Sequence, residues 1–80
     1  MPADTAQLVA HLVRSLVDDP DSATIVEKHN GDDLVFEVTV APDDVGKLIG
    51  RQGRIVKAIR TLARAAGSAS GAHVDVEILG

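Results

Sequence analysis

Apolar residues recur along this chain in two rhythms, and the switches between them predict its elements. From Thr5 onward they fall at Leu8, Val9, Leu12, Val13, Leu16 and Val17, two adjacent i, i+4 rows that make one helical stripe. The spacing predicts a helix over 5–17, with Thr5 or Asp4 as N-cap and Pro20 beyond its end. Asp18 and Asp19 stand at that end, where carboxylates oppose the helix dipole, so the end either frays or finds partners elsewhere. The rhythm then shortens. β-Branched Thr24, Ile25 and Val26 mark a strand over 22–29, and Leu34, Phe36, Val38 and Val40 alternate with Val35, Glu37 and Thr39 in a second over 34–40. Asn30-Gly31 is the pair best suited to a type I′ turn, which predicts an antiparallel hairpin.

Helical spacing returns after Pro42-Asp43-Asp44, a helix-start signal, with Val45, Leu48 and Ile49 before Gly50 closes a short helix. A longer helix begins near Arg54. Its apolar residues Ile55, Ile59, Leu62, Ala63 and Ala66 share one face, while Lys57, Arg60 and Arg64 occupy another. Glycine and serine make 67–72 a short flexible connection, and Val74, Val76 and Ile78 alternate with Asp75 and Glu77 in a last strand over 73–79. The order α-β-β-α-α-β predicts an α+β two-layer sandwich, a three-stranded mixed sheet with three helices on one face. At 80 residues this is one domain, its core spanning about 5–79.

Composition narrows the chemistry. Apolar residues make up 45% of the chain and there is no cysteine, so packing alone must hold the core, without disulfides or thiolate-bound zinc. Phe36, in phase with Leu34 and Val38, belongs to that core. No basic, apolar leader opens the sequence and no run approaches a membrane span, so a soluble cytoplasmic protein with no membrane association is expected. His11, His29 and His73 lack metal-ligand spacing, and no nucleophile elbow or Walker-type loop is present; neither catalysis nor a cofactor is implied.

A net charge of −4 argues, as an average, against a nucleic-acid binder. The average hides an island. Six of the eight basic residues, Lys47, Arg51, Arg54, Lys57, Arg60 and Arg64, fall within 45–64, a stretch with no acid. At its centre lies Ile49-Gly50-Arg51-Gln52-Gly53-Arg54-Ile55. Glycines at 50 and 53 let the backbone turn sharply between helices and let another backbone approach closely. The helix opening at Arg54 aims N–H groups and the positive end of its dipole at the loop, an arrangement that suits a phosphodiester chain.

These residues, from Val45 to the isoleucine at 55, resemble the Ile-Gly-x-x-Gly-x-x-Ile signature of KH domains, and the element order is similar to the type II form of that fold. An isolated domain of this length resembles the small bacterial stand-alone KH proteins of the KhpA type. That resemblance implies single-stranded RNA binding, with Gly50, Arg51, Gln52 and Gly53 clamping the backbone, Lys47 and Arg54 flanking them and Lys57 one turn further on. Arg60 and Arg64 extend the arc with less claim to contact. Ile49 and Ile55 match anchors that dock the helices on the sheet. The resemblance further implies a role as RNA chaperone or post-transcriptional regulator, links to cell-shape and cell-wall control, and a homodimer or a heterodimer with a larger KH protein of the Jag type. Without Trp or Tyr, base stacking is scarce, so weak binding of broad specificity and steep salt dependence is expected. Two other readings stand beside it: a protein-interaction or dimerisation module on a KH frame, through the exposed sheet face with Val35 or an uncovered part of the first helix, and a DNA-binding helix-turn-helix formed by the two helices about the glycine turn.

Overall fold

The computed structural model describes residues 2–79, with side chains from Thr5 onward. Its elements are α1 (Pro2–Leu16), β1 (Thr24–Asn30), β2 (Asp33–Thr39), α2 (Val45–Ile49), α3 (Arg54–Ser68) and β3 (His73–Leu79), with single 3₁₀ turns at Pro20–Ser22, Pro42–Asp44 and Arg51–Gly53. The sheet order is β1-β2-β3, with β1 antiparallel and β3 parallel to the central β2. This is the expected α+β architecture in the expected order.

Period-two patterning builds the sheet's inner face. Leu34, Phe36, Val38, Val74 and Val76 are buried there, against Val9 and Val13 of α1, Leu48 of α2, and Ile59 and Ala63 of α3. Phe36 and Val76 are direct neighbours in the parallel pair and neither is exposed to solvent. Burying such a set contributes roughly 1.5–3 kcal/mol for each large side chain, which is how a chain without disulfides holds together.

Several expectations shift in detail. The first helix begins at Pro2, so Thr5 is a buried interior residue and not its cap; the side chain of Asp4, the other candidate, lies outside the described residues. The hairpin turns at Gly31-Asp32, with Asn30 paired to Asp33. Only Gly31 has positive φ there, the requirement of a type II′ rather than a type I′ turn. The buried stripe of α3 is Val56, Ile59, Ala63 and Gly67: Ile59 and Ala63 lie inward as expected, Val56 and Gly67 join them, and Leu62 is left 48% exposed. α3 also continues through Ser68, and the turn after it is closed by N–H groups of Ser70 and Ala72, both donating to the Gly67 carbonyl at 2.9 Å. Gly67 lies beneath Val74, where a Cβ would collide with the valine, so close α3–β3 packing is what this glycine permits.

Candidate nucleic-acid interface

The loop between α2 and α3 stands on two buried side chains, Leu48 and Val56. The expected anchors Ile49 and Ile55 are both half-buried, and of the two Ile55 packs against the core; the last apolar position of the signature, three residues after Gly53, falls on the buried Val56 rather than on Ile55. Gly50 adopts φ 75°, ψ 174°, a region open essentially to glycine alone. Gly53 follows at φ 72°, ψ 17°. Between them Gln52 is left-handed at φ 59°, ψ 25°, the one non-glycine residue with positive φ among those described. Backbone bonds close the turn: Gly50 N–H donates to Gly46 O at 2.8 Å and Gly53 N–H to Gly50 O at 3.2 Å. No side chain caps the first turn of α3 and no acid lies in it; the Arg54 N–H donates to the Arg51 carbonyl, and no acid offsets the positive end of the helix dipole there.

The cationic island divides into three groups. Arg60 and Arg64 reach over the outer edge of β3: Arg60 Nε–H donates to the Val76 carbonyl at 2.9 Å, and Arg64 Nε–H to that of Val74 at 3.4 Å. Both also pair with Asp75, at 3.5 and 3.3 Å. Asp75 in turn accepts from the Val76 N–H at 2.8 Å. These two arginines satisfy a sheet edge. Lys47 is engaged with Asp18 and with Asp44 Oδ1, the latter at 3.2 Å. Arg51, Arg54 and Lys57 remain. Arg54 donates to Gln52 Oε1 at 3.2 Å, and all three side chains are exposed. Among the described residues, none of the three pairs with an acid.

Asp44 was legible in sequence only as part of a helix start. In the structure its carboxylate accepts the N–H groups of Asp18 and Asp19 at 3.2 and 3.0 Å. Burial alone would raise its pKa; the two backbone donors and the Lys47 ammonium outweigh that and hold it below the ordinary carboxylate value. Hydrogen bonds to Asp18 and then Asp44 raise the pKa of Lys47 against the opposing pull of desolvation. Asp18 and Asp19 thus do find partners beyond their own helix. The Asp44 and Lys47 spacing of i, i+3 was the available clue to one half of this contact; nothing local signals the other half. Among the described residues no cluster of side chains could hold a metal ion, and no helix is long and apolar enough to cross a membrane.

A family model described as KhpA/KhpB, KH domain, matches residues 6–78. The chain is 45% identical over 73 residues to the RNA-binding protein KhpA of Caldanaerobacter subterraneus subsp. tengcongensis, covering 91% of this chain and 97% of that one. KhpA of Clostridium acetobutylicum is similar to the same extent, 45% over 91% and 97% of the two chains. That of Chlamydia trachomatis is 38% identical over 91% and 94%. Among solved structures, Aquifex aeolicus Era bound to GDP and aluminium fluoride is similar with a TM-score of 0.63 at 23% identity, over 92% of this chain and 29% of that one. Era in complex with a GTP analogue and a segment of 16S ribosomal RNA gives the same TM-score and identity, over 92% of this chain and 28% of that one. At such identity the likeness is one of fold.

Proposed function

Because the chain belongs to the KhpA/KhpB family of KH domains, we propose that it is an RNA-binding protein whose loop 50–53 and first turn of α3 grip the sugar-phosphate backbone of a single strand. It is a binding protein and not an enzyme. The observation that carries the reading is the coincidence at one place of a left-handed glycine-bounded turn, an uncapped helix start and three cations without acidic partners. Gly50 makes room for Ile55 and so for the turn itself, while Gly53, with nothing nearer than 4.0 Å to where a Cβ would stand, lets a phosphodiester chain come close. Arg51, Gln52 and Arg54 meet it at the loop, and Lys57 meets it one turn along. The remaining acidic surface repels a polyanion and so orients it toward this one face. With Phe36 buried and no Trp or Tyr in the chain, no Phe, Tyr or Trp ring is offered to the bases, and the grip is on the backbone more than on sequence.

Replacing Arg51 and Gln52 together by Asp puts two carboxylates where phosphate is expected. Affinity for a labelled single-stranded oligouridylate, read by fluorescence anisotropy, should be lost while circular dichroism stays that of the wild type. Undiminished affinity would end the loop-based reading. Duplex DNA displacing the oligouridylate at equal salt would favour the helix-turn-helix alternative.

A second reading concerns assembly. Leu62 on α3 and Leu16 on α1 are 48% and 38% exposed, on two helices that pack against each other. We infer that this helical side pairs with a second copy or with a larger KH protein of the Jag type. Sedimentation of Leu62→Glu beside the wild type checks it: a shift from dimer to monomer is expected. The roles in RNA chaperoning, post-transcriptional regulation and cell-shape or cell-wall control rest on the family resemblance alone.

A further inference from the structure

Of the cations beside the loop, Lys47 is the one whose surroundings do not suit a phosphate. Its ammonium lies between Asp18 and Asp44, and one cation against two carboxylates leaves the cluster net negative. A phosphate taking Lys47 would have to displace both and would leave Asp44, 2% exposed, with no counter-charge. Removing the cation from a covered carboxylate is unfavourable even near a protein surface, because the charge then depends on backbone donors alone.

The same cluster has a mechanical position. α2 has only five residues, too few to hold a helical direction unaided. Leu48 pins it from beneath, fully buried. Asp44, the residue before it, ties its start to the chain emerging from α1 through the N–H groups of Asp18 and Asp19. Lys47 then closes the tie from one turn further along, bridging Asp44 to Asp18. Gly50 caps the far end of this helix, about 9 Å from Asp44 at 1.5 Å per residue. A tilt of α2 therefore moves the loop directly.

We propose that Lys47 is a positioning residue: with Asp44 and Asp18 it clasps α2 to the end of α1, sets the stance of the loop 50–53, and takes no phosphate itself. The proposal rests on the RNA-backbone reading above. It also gives the interface a boundary, since the clasp is a negative spot on the α2 side that turns the strand toward Arg54 and Lys57 on α3.

Salt dependence separates positioning from contact, because each phosphate neutralised on a single strand adds about 0.7 to the slope of log affinity against log salt. The slope is measured on the full chain with labelled oligouridylate for wild type, Arg54→Gln, Lys47→Gln, Lys47→Met and Lys47→Arg. Arg54→Gln should flatten the slope by about 0.7. Lys47→Gln and Lys47→Met should leave the slope unchanged and weaken binding about two- to tenfold, on the scale of losing one net hydrogen bond's worth of ordering. Lys47→Arg, which can bridge the same two carboxylates, should restore affinity. A slope flattened by Lys47→Gln as much as by Arg54→Gln would make Lys47 a phosphate ligand and overturn the proposal. Wild-type affinity and slope in both Lys47→Gln and Lys47→Met would overturn it from the other side. Failure of the underlying reading looks different: there the wild type does not bind, or Arg54→Gln leaves the slope untouched.

Discussion

A Cβ placed on Gly50 would stand 2.6 Å from Cγ1 of Ile55, so the isoleucine that packs α3 to the core also forbids a side chain at the first loop position. Gly53 is held differently: a Cβ there meets nothing nearer than Val56 Cγ1 at 4.0 Å, and only its left-handed φ calls for glycine. The two glycines should therefore fail unequally. Gly53→Ala should cost about 1–2 kcal/mol of backbone strain, while Gly50→Ala adds a collision to a strain of about 1–3 kcal/mol. Urea denaturation of the two variants checks the order, and equal losses would contradict it.

Gln52 is left-handed without the excuse of lacking a Cβ. Asn, which tolerates that region better, should raise stability by about 0.5–1 kcal/mol. It shortens the side chain that meets Arg54, so RNA affinity should not rise with stability. Paired denaturation and anisotropy measurements test whether the strain is held for function.

Arg60 and Arg64 serve the β3 edge, and their loss should be felt as stability and association rather than as RNA affinity. Arg60→Met removes a well-placed bond to the Val76 carbonyl and should cost about 1 kcal/mol. Arg64→Met should cost less, its bond being longer and its side chain more exposed. Neither should change the salt slope by the amount that Arg54→Gln does. With both arginines gone, the bared edge should promote self-association, visible in light scattering.

The clasp at Asp44 has a pH window with two sides. Its carboxyl titrates below the ordinary 3.8, so its stabilisation is complete above that value and disappears as pH falls through the depressed one. Lys47 titrates above the ordinary 10.5, so its share is complete below that value and disappears as pH rises through the raised one. In denaturation series the gap between wild type and Asp44→Asn should be constant near neutrality and close in acid. The gap between wild type and Lys47→Gln should close in alkali. A gap between wild type and Asp44→Asn that persists in acid would show that the carboxylate charge is not what holds the contact.

Where periodicity was unambiguous, the sequence was enough. Leu34, Phe36 and Val38 alternate with polar or half-buried neighbours, and all three are buried. Helix phase was less legible. Ile55 and Val56 stand side by side, and the stripe drawn through Ile55, Ile59 and Ala63 also takes in Leu62; the structure keeps Ile59 and Ala63 inward with Val56 and Gly67, a phase in which Arg60 and Arg64 reach β3. The loop was recognisable from its glycines, but the conformation of Gln52 left no trace, since glutamine has no bias toward positive φ. Lys47 was counted as one cation among six. Its pairing with Asp18 bridges 29 positions, and no local pattern reports a contact of that separation.

The parallel pairing of β2 with β3 joins Asp33 to His73 and Thr39 to Leu79, and the loop 50–53, Arg54 and Lys57, the residues proposed to meet RNA, lie inside the crossover between them. Closing such a long connection is the slow, non-local part of folding, whereas the β1–β2 hairpin forms from neighbours in sequence. The loop's one strained residue, Gln52, is thus held between two helices, α2 and α3, that both pack on the sheet this crossover completes. On the RNA-backbone reading proposed above, affinity for a single strand should therefore double as a report that the last strand is in place.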